Sequence, residues 1–138
     1  MPLRIKLPAK EKIIINGAVI ENAGEATTII LHNRVDILRR KEVMSEKEAV
    51  TPARRVYYAL QCAYLFDTDR EQYLQLFEQL ANDYQEAAPS AGPILSKLKA
   101  TIAEEKYYDA LRATQDLMDH EGERLREVES NGFSPASK

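Results

Sequence analysis

"EKIIINGAVIEN", residues 11–22, is the stretch of sequence that decides the fold of the N-terminal part of the chain. Two runs rich in β-branched residues flank Asn16-Gly17, the dipeptide that best tolerates the two positive φ angles of a type I′ turn. Because β-branched side chains also favour extended backbone, both runs are expected to be strands. The stretch therefore predicts a tight antiparallel hairpin.

Three further strands are predicted around this hairpin. Residues 3–7, "LRIKL", alternate apolar and cationic side chains, residues 26–33 are rich in Thr and Ile, and residues 34–41, "RVDILRRK", alternate before a basic end. Since the connections are very short, we expect one antiparallel meander of five strands. A sheet of this size needs cover for its apolar face, from the helices that follow or from a second copy of the chain.

From Ser45 onward the apolar residues recur with a helical period. Thr51-Pro52 predicts a helix start, because Thr can cap and proline at the first helical position costs no hydrogen bond. We expect an α+β protein with an antiparallel β unit at 1–44, about four helices at 45–128 and a disordered tail at 129–138. The predicted core stripes of the first two helices are Val56, Ala59, Leu60, Ala63 and Phe66, then Tyr73, Leu76, Phe77, Leu80 and Tyr84.

Charge is distributed unevenly along the 138 residues, whose net charge is −3. Residues 1–60 hold 11 Lys plus Arg against 7 Asp plus Glu, whereas residues 61–138 hold 8 against 15. A basic front and an acidic back are expected if only the front meets an anionic partner. The usual richness of helices in Glu is the alternative explanation.

Few residues of this sequence suggest a catalytic or a metal-binding site. The glycines are scattered singly, the two histidines lack metal-ligand spacing, and Cys62 lies among apolar neighbours. We therefore expect no enzyme, no metal, no cofactor and no small-molecule substrate. There is no basic n-region followed by an apolar run and no run of 18 apolar residues. We therefore expect a cytoplasmic protein without a secretion signal or a membrane span.

Cations and tyrosines provide the candidate binding residues. Strand cations either hold phosphates or guard a sheet edge against aggregation, and the pattern alone favours the guard. Arg54-Arg55 could bind phosphate or pair with nearby glutamates, and one tyrosine of each pair at 57–58 and 107–108 could contact a partner protein. The resulting candidates are Arg4, Lys6, Arg39, Arg40 and Lys41 for phosphate, and Arg54, Arg55, Tyr58 and Tyr107 for protein.

Several strings resemble the FlbT family of alphaproteobacterial flagellar biosynthesis regulators. They are "LPAKEKIIINGAVIENA", "ILRRKEVMSEKEAVTPARRVYYALQ" and "YYDALRATQDLMDHE", and the resemblance covers nearly all of residues 2–125. It implies a post-transcriptional regulator that associates with the 5′ untranslated leader of flagellin mRNA. Such a regulator represses translation or promotes decay of the message, alongside a small helical partner, FlaF. In some members the effect on flagellar expression is positive.

The first 44 residues also resemble the CsrA carbon storage regulator family, in the order of five short strands and a closing "V-x-I-x-R" run. That family forms dimers that bind GGA-containing mRNA leaders, although here a large helical region replaces the short C-terminal helix. The resemblance implies an RNA site at Leu3, Arg4 and Ile5 and at Arg39 with Arg40. The alternative is a protein-interaction module for a FlaF-type partner or flagellin, in which the β unit forms a homodimer.

Overall fold

The hairpin predicted at Asn16-Gly17 is present in the computed structural model, which describes residues 2–130. The five strands are β1 (Leu3–Leu7), β2 (Lys12–Ile15), β3 (Ala18–Glu21), β4 (Thr27–Leu31) and β5 (Ile37–Arg39). Asn16 and Gly17 connect β2 to β3 with φ angles of 50° and 83°. Both are positive, as a type I′ turn requires, so the turn prediction is confirmed.

The strands form two sheets, so the expectation of a single meander is wrong. β1 pairs with β4 in a two-stranded sheet, and the order of the other sheet is β3-β2-β5, with all pairs antiparallel. Ile5, Leu7 and Ile13 form a buried cluster from both sheets. Partly buried residues surround that cluster, namely Ile15, Ile29, Leu31 and Ile37. The apolar face of each small sheet is thus covered in part by the other.

β5 is shorter than the predicted strand at 34–41. The backbone N–H of Asn16 donates to the carbonyl of Asp36 at 2.8 Å, and the N–H of Asp36 donates to Oδ1 of Asn16 at 2.9 Å. Regular pairing begins only at Ile37 and ends at Arg39, where a 3₁₀ turn takes over at Arg40–Glu42. The turn residue Asn16 therefore also positions the start of β5.

We expect loss of the Asn16 side chain to weaken this connection. Asn16→Gly keeps the positive φ but removes the Oδ1 acceptor, which should cost about 1 kcal/mol. Asn16→Ala should cost about 2 kcal/mol, because alanine loses the same acceptor and keeps a Cβ without the polar side chain that lets asparagine adopt this φ. Amide hydrogen exchange at Asp36 measures the effect locally. Unchanged protection of the Asp36 N–H in Asn16→Gly would show that the Oδ1 bond contributes nothing.

Four helices follow, which confirms the α+β prediction. They are α1 (Pro52–Leu65), α2 (Arg70–Ala87), α3 (Gly92–Ala103) and α4 (Tyr107–Ser130). α1 packs on α2 and on α4, and α3 packs on α4. The chain divides into two compact units between Ser45 and Glu46, hereafter the β unit and the helical unit. Of the tail expected at 129–138, residues 131–138 lie outside the described part of the chain.

The core of the helical unit differs from the predicted stripes at their ends. Leu60, Phe77 and Tyr84 are buried as expected, but Phe66 is 49% exposed and Leu76 is 43% exposed. The physical reason lies in the neighbours: Phe66 follows the last residue of α1, and Leu76 lies on the flank of α2 away from Phe77. The helical spacing of apolar residues predicted that Phe66 and Leu76 are core residues, and for these two residues the prediction is wrong.

α1 begins at a capped N-terminus that α4 completes. The Oγ1 of Thr51 accepts a hydrogen bond from the Arg54 N–H at 3.3 Å and donates one to Oε1 of Glu121 at 2.6 Å. The other carboxylate oxygen of Glu121 accepts from the Ala53 N–H at 3.0 Å. A carboxylate from another helix thus satisfies a first-turn N–H group that α1 leaves unpaired.

Candidate nucleic-acid interface

Arg4 and Lys6 lie together on one face of β1. Both are exposed and alternate with Ile5 and Leu7, which are buried. Ile5 therefore contacts the core and offers only its backbone to a ligand, whereas Leu3 at the strand start is 46% exposed. These positions follow directly from the period of two in a strand.

The partner strand adds an apolar surface to this pair. Arg4 is opposite Ile30, and Lys6 is opposite Thr28. Ile30 is 43% exposed, so an aliphatic side chain lies in the open beside two cations. Ile30 was not among the predicted site residues, although the run "IIL" at 29–31 contained the signal: in a strand, the middle of three consecutive apolar residues points away from its neighbours.

Arg39, Arg40 and Lys41 lie at the end of β5 and in the 3₁₀ turn that follows. All three are exposed. The backbone N–H of Arg39 donates to Oε1 of Glu42 at 2.9 Å, which fixes the start of the turn and brings one carboxylate close to its backbone. By register Arg39 is opposite Ile13, on the same face of β5 as Ile37.

Within one chain, the two groups of cations lie on strands that are not hydrogen-bonded to each other. β1 and β5 belong to different sheets and are not neighbours. We call Arg4 and Lys6 the β1 pair, and Arg39, Arg40 and Lys41 the β5 group. A ligand that contacts both has to reach residues on separate sheets.

These five cations are available for an anionic ligand. In the part of the chain that the structure describes, none of the five has an ion-pair partner, and residues 1–45 hold 8 Lys plus Arg against 5 Asp plus Glu, a balance of +3. Some cations of the helical unit are paired instead, for example Lys99 with Glu78 at 3.5 Å and Arg126 with Glu123 at 2.8 Å. The β unit thus carries uncompensated positive charge on its surface.

The four protein-interaction candidates are spread over the helical unit. Arg54 and Arg55 are exposed in the first turn of α1, whereas Tyr58 and Tyr107 are both half-buried. The guanidinium of Arg70 lies 4.5 Å from the centre of the Tyr107 ring, which covers one face of that ring. Tyr107 is therefore engaged inside the unit, and the two arginines are the more accessible members of the set.

The thiol of Cys62 and the imidazole of His120 both contact other side chains of the helical unit. Cys62 is 3% exposed, and burial raises the pKa of its thiol, although hydrogen bonds from the hydroxyls of Tyr58 and Tyr73 act in the opposite direction. The ring nitrogens of His120 lie 3.0 Å from the Tyr84 hydroxyl and 2.8 Å from the Ser90 hydroxyl, so both have partners. A neutral buried thiol at neutral pH is a core residue rather than a nucleophile.

Among residues 2–127, no group of three or more His, Cys, Asp or Glu side chains is arranged to hold a metal ion. In the same range, the helices are too short or too polar to cross a lipid bilayer.

Comparison of the sequence with known proteins identifies the family of this chain. The sequence model described as "Flagellar protein FlbT" matches residues 3–125, which is most of the chain. The chain belongs to the FlbT family. The resemblance seen in "EKIIINGAVI" and "TPARRVYYALQ" is thereby confirmed, over almost the range that those strings indicated.

FlbT proteins from several bacteria are similar along nearly their whole length. The "Flagellum biosynthesis repressor protein FlbT" of Caulobacter vibrioides is 29% identical over 134 residues, which cover 94% of this chain and 94% of that protein. A "Probable flagellum biosynthesis repressor protein FlbT" from Rhodopseudomonas palustris is 33% identical over 125 residues, covering 91% and 98%. No solved structure matches this FlbT chain.

Proposed function

We propose that this FlbT protein represses flagellum synthesis by associating with the 5′ untranslated region of flagellin mRNA, in the cytoplasm and without catalysis. Membership of a family whose relatives are named flagellum biosynthesis repressors supports the process. The observation that supports RNA as the ligand is the exposed positive charge of the β1 pair and the β5 group, which no ion pair compensates among the described residues. Repression then follows from blocked ribosome access or from faster decay of the message.

The roles of the residues follow from their chemistry. Lys and Arg side chains neutralise phosphates and release counterions, which supplies affinity without sequence preference. Arginine also contacts base edges with two hydrogen bonds, and Arg39 is our candidate for this role because it closes the strand. Ile30 and Leu3 offer apolar surface to unstacked bases of a single-stranded leader.

We expect the double substitution Arg39→Ala/Arg40→Ala to weaken binding of a flagellin leader transcript. Removing two phosphate contacts on single-stranded RNA should reduce the slope of log affinity against log salt by about 1.4, since each contact contributes about 0.7. Fluorescence anisotropy at several salt concentrations measures this change. Purified protein without any partner is used, because an increase in the anisotropy of the transcript with this protein alone also shows that binding is direct.

Lys97→Ala is the matched control for this experiment. Lys97 is an exposed cation of α3, in the helical unit, and its removal should leave both the affinity and the salt slope unchanged. Equal behaviour of the double variant and Lys97→Ala would contradict the assignment of phosphate contacts to the β5 group.

A second candidate function is contact with a protein partner of the FlaF type or with flagellin. Arg54 and Arg55 favour it: both are exposed in the first turn of α1, where cations oppose the helix dipole, and an anionic partner would relieve that cost. In this case the β unit serves to form a homodimer, with a second copy pairing along its short sheets. Regulation that survives removal of residues 1–44 would favour this candidate over RNA binding.

A further inference from the structure

A group of apolar side chains remains exposed where α1 ends and α2 begins. Phe66 is 49% exposed, Leu76 is 43% exposed and Tyr73 is half-buried. The rings of Phe66 and Tyr73 are tilted against each other, with centroids 6.3 Å apart. We call Phe66, Tyr73 and Leu76 the aromatic corner.

Hydrogen bonds hold two parts of the aromatic corner, the backbone of Phe66 and the hydroxyl of Tyr73. The N–H of Phe66 donates to the carbonyl of Cys62 at 2.8 Å, and the hydroxyl of Tyr73 is hydrogen-bonded to the Cys62 thiol. Nearby, Nε of Arg70 donates to the carbonyl of Ala63 at 2.8 Å, which ties the first turn of α2 to the end of α1. An apolar surface that is already ordered loses little conformational entropy when a partner binds.

The surroundings of the aromatic corner are acidic. Asp67, Asp69 and Glu71 follow Phe66 directly and are exposed, and none of them has an ion-pair partner among the described residues. The nearby Cys62, followed by burial and by the charges of Asp69 and Glu46, raises the pKa of the Tyr73 hydroxyl. Arg70, between Asp69 and Glu71 in the sequence, places its guanidinium over the Tyr107 ring. The field at this surface is therefore negative.

We propose that the aromatic corner is a docking site for an amphipathic segment of another protein, with an apolar anchor flanked by Lys or Arg. Phe66 and Leu76 contact the anchor, and Asp67, Asp69 and Glu71 face the flanking cations. Tyrosine and phenylalanine beside a polar rim are typical of interface centres. The same carboxylates repel phosphate, so RNA is not the ligand here, and the inference does not depend on the RNA-binding proposal.

Two synthetic peptides test this site on the full-length protein. Both carry the same Leu and Phe residues at helical spacing, but one has Lys and Arg at the flanking positions and the other has Glu. Titration of isotope-labelled protein is followed by nuclear magnetic resonance. We expect saturable shifts at Phe66, Tyr73 and Leu76 with the cationic peptide, and none with the acidic one.

Substitutions then separate the anchor from the charge. Phe66→Ala should weaken binding of the cationic peptide about tenfold or more, as expected for a central interface residue. Asp67→Asn/Asp69→Asn should weaken it less and should flatten its dependence on salt. Leu125→Ala is the matched control, because Leu125 is 56% exposed on α4 and lies outside the aromatic corner, so the variant should bind the peptide like the parent protein.

Three outcomes would overturn the proposal. They are shifts that map outside the aromatic corner, equal binding of the acidic peptide, and an affinity of Phe66→Ala equal to that of Leu125→Ala. Circular dichroism verifies that each variant is folded, which is expected because the substituted side chains are exposed. Since Phe66→Ala should leave leader RNA affinity unchanged, failure at this site is distinguishable from failure of RNA binding.

Discussion

Phe77→Ala is expected to lower the free energy of unfolding of the helical unit by about 3–5 kcal/mol, the range for removal of a buried aromatic ring. Phe77 is 2% exposed on α2, the helix that packs along α1. Its removal reduces the buried apolar area and leaves a cavity, so the surrounding side chains lose their van der Waals contacts with the ring. Urea unfolding, followed by the helical circular dichroism signal, measures the loss.

The adjacent residue provides the control. Leu76→Ala removes a similar apolar side chain from the same helix, but Leu76 is 43% exposed, so the expected cost is below about 1 kcal/mol. A comparable loss in the two variants would show that Leu76 is part of the core, as the sequence period suggested, and would remove a member of the aromatic corner.

Turn and capping preferences correctly predicted those structural features that depend only on residues adjacent in the sequence. The turn at Asn16-Gly17 and the start of α1 at Thr51-Pro52 each depend on backbone angles and caps that a few residues specify. The strand order could not be predicted in this way. Pairing of β1 with β4 joins residues 20 to 28 positions apart, and its free energy depends on a core that both sheets share.

The same distinction applies to the candidate interface. Composition and strand alternation predicted that Arg4 and Lys6 are exposed on one face, because a period of two leaves no other arrangement once Ile5 is buried. Whether this pair joins Arg39 in one row depends on which strands are neighbours, and in the structure β1 and β5 are not. A continuous row across adjacent strands of one sheet therefore does not form within one chain.

The aromatic corner shows where helical periodicity stops being informative. Phe66 continues the apolar spacing of α1, but α1 ends at Leu65, so the side chain no longer follows the direction of the stripe. A hydrophobic residue just beyond a helix end is ambiguous in sequence, since it can fold back onto the core or remain exposed. The acidic residues at 67, 69 and 71 were the available signal, because carboxylates in a row indicate a solvated surface.

Glu121→Ala is expected to destabilise the helical unit by about 2–3 kcal/mol, because hydrogen bonds to a charged group contribute about 1.5–3 kcal/mol. The carboxylate accepts from the Thr51 hydroxyl and from the Ala53 N–H, so its loss leaves two donors of the α1 N-terminus without their acceptor. It also removes a negative charge from the positive end of the α1 dipole. Glu121 is thus the residue through which α4 stabilises the first turn of α1.

Two further variants distinguish this role from a general effect of charge. Glu121→Gln keeps one acceptor oxygen and should cost about 1–2 kcal/mol, between the parent and the alanine variant. Glu123→Ala removes an exposed carboxylate that pairs with Arg126 at 2.8 Å, and should change stability by no more than about 0.5 kcal/mol. Urea unfolding of the three variants gives the order. If Glu121→Ala were no less stable than Glu123→Ala, the contact between α4 and the start of α1 would contribute nothing to folding.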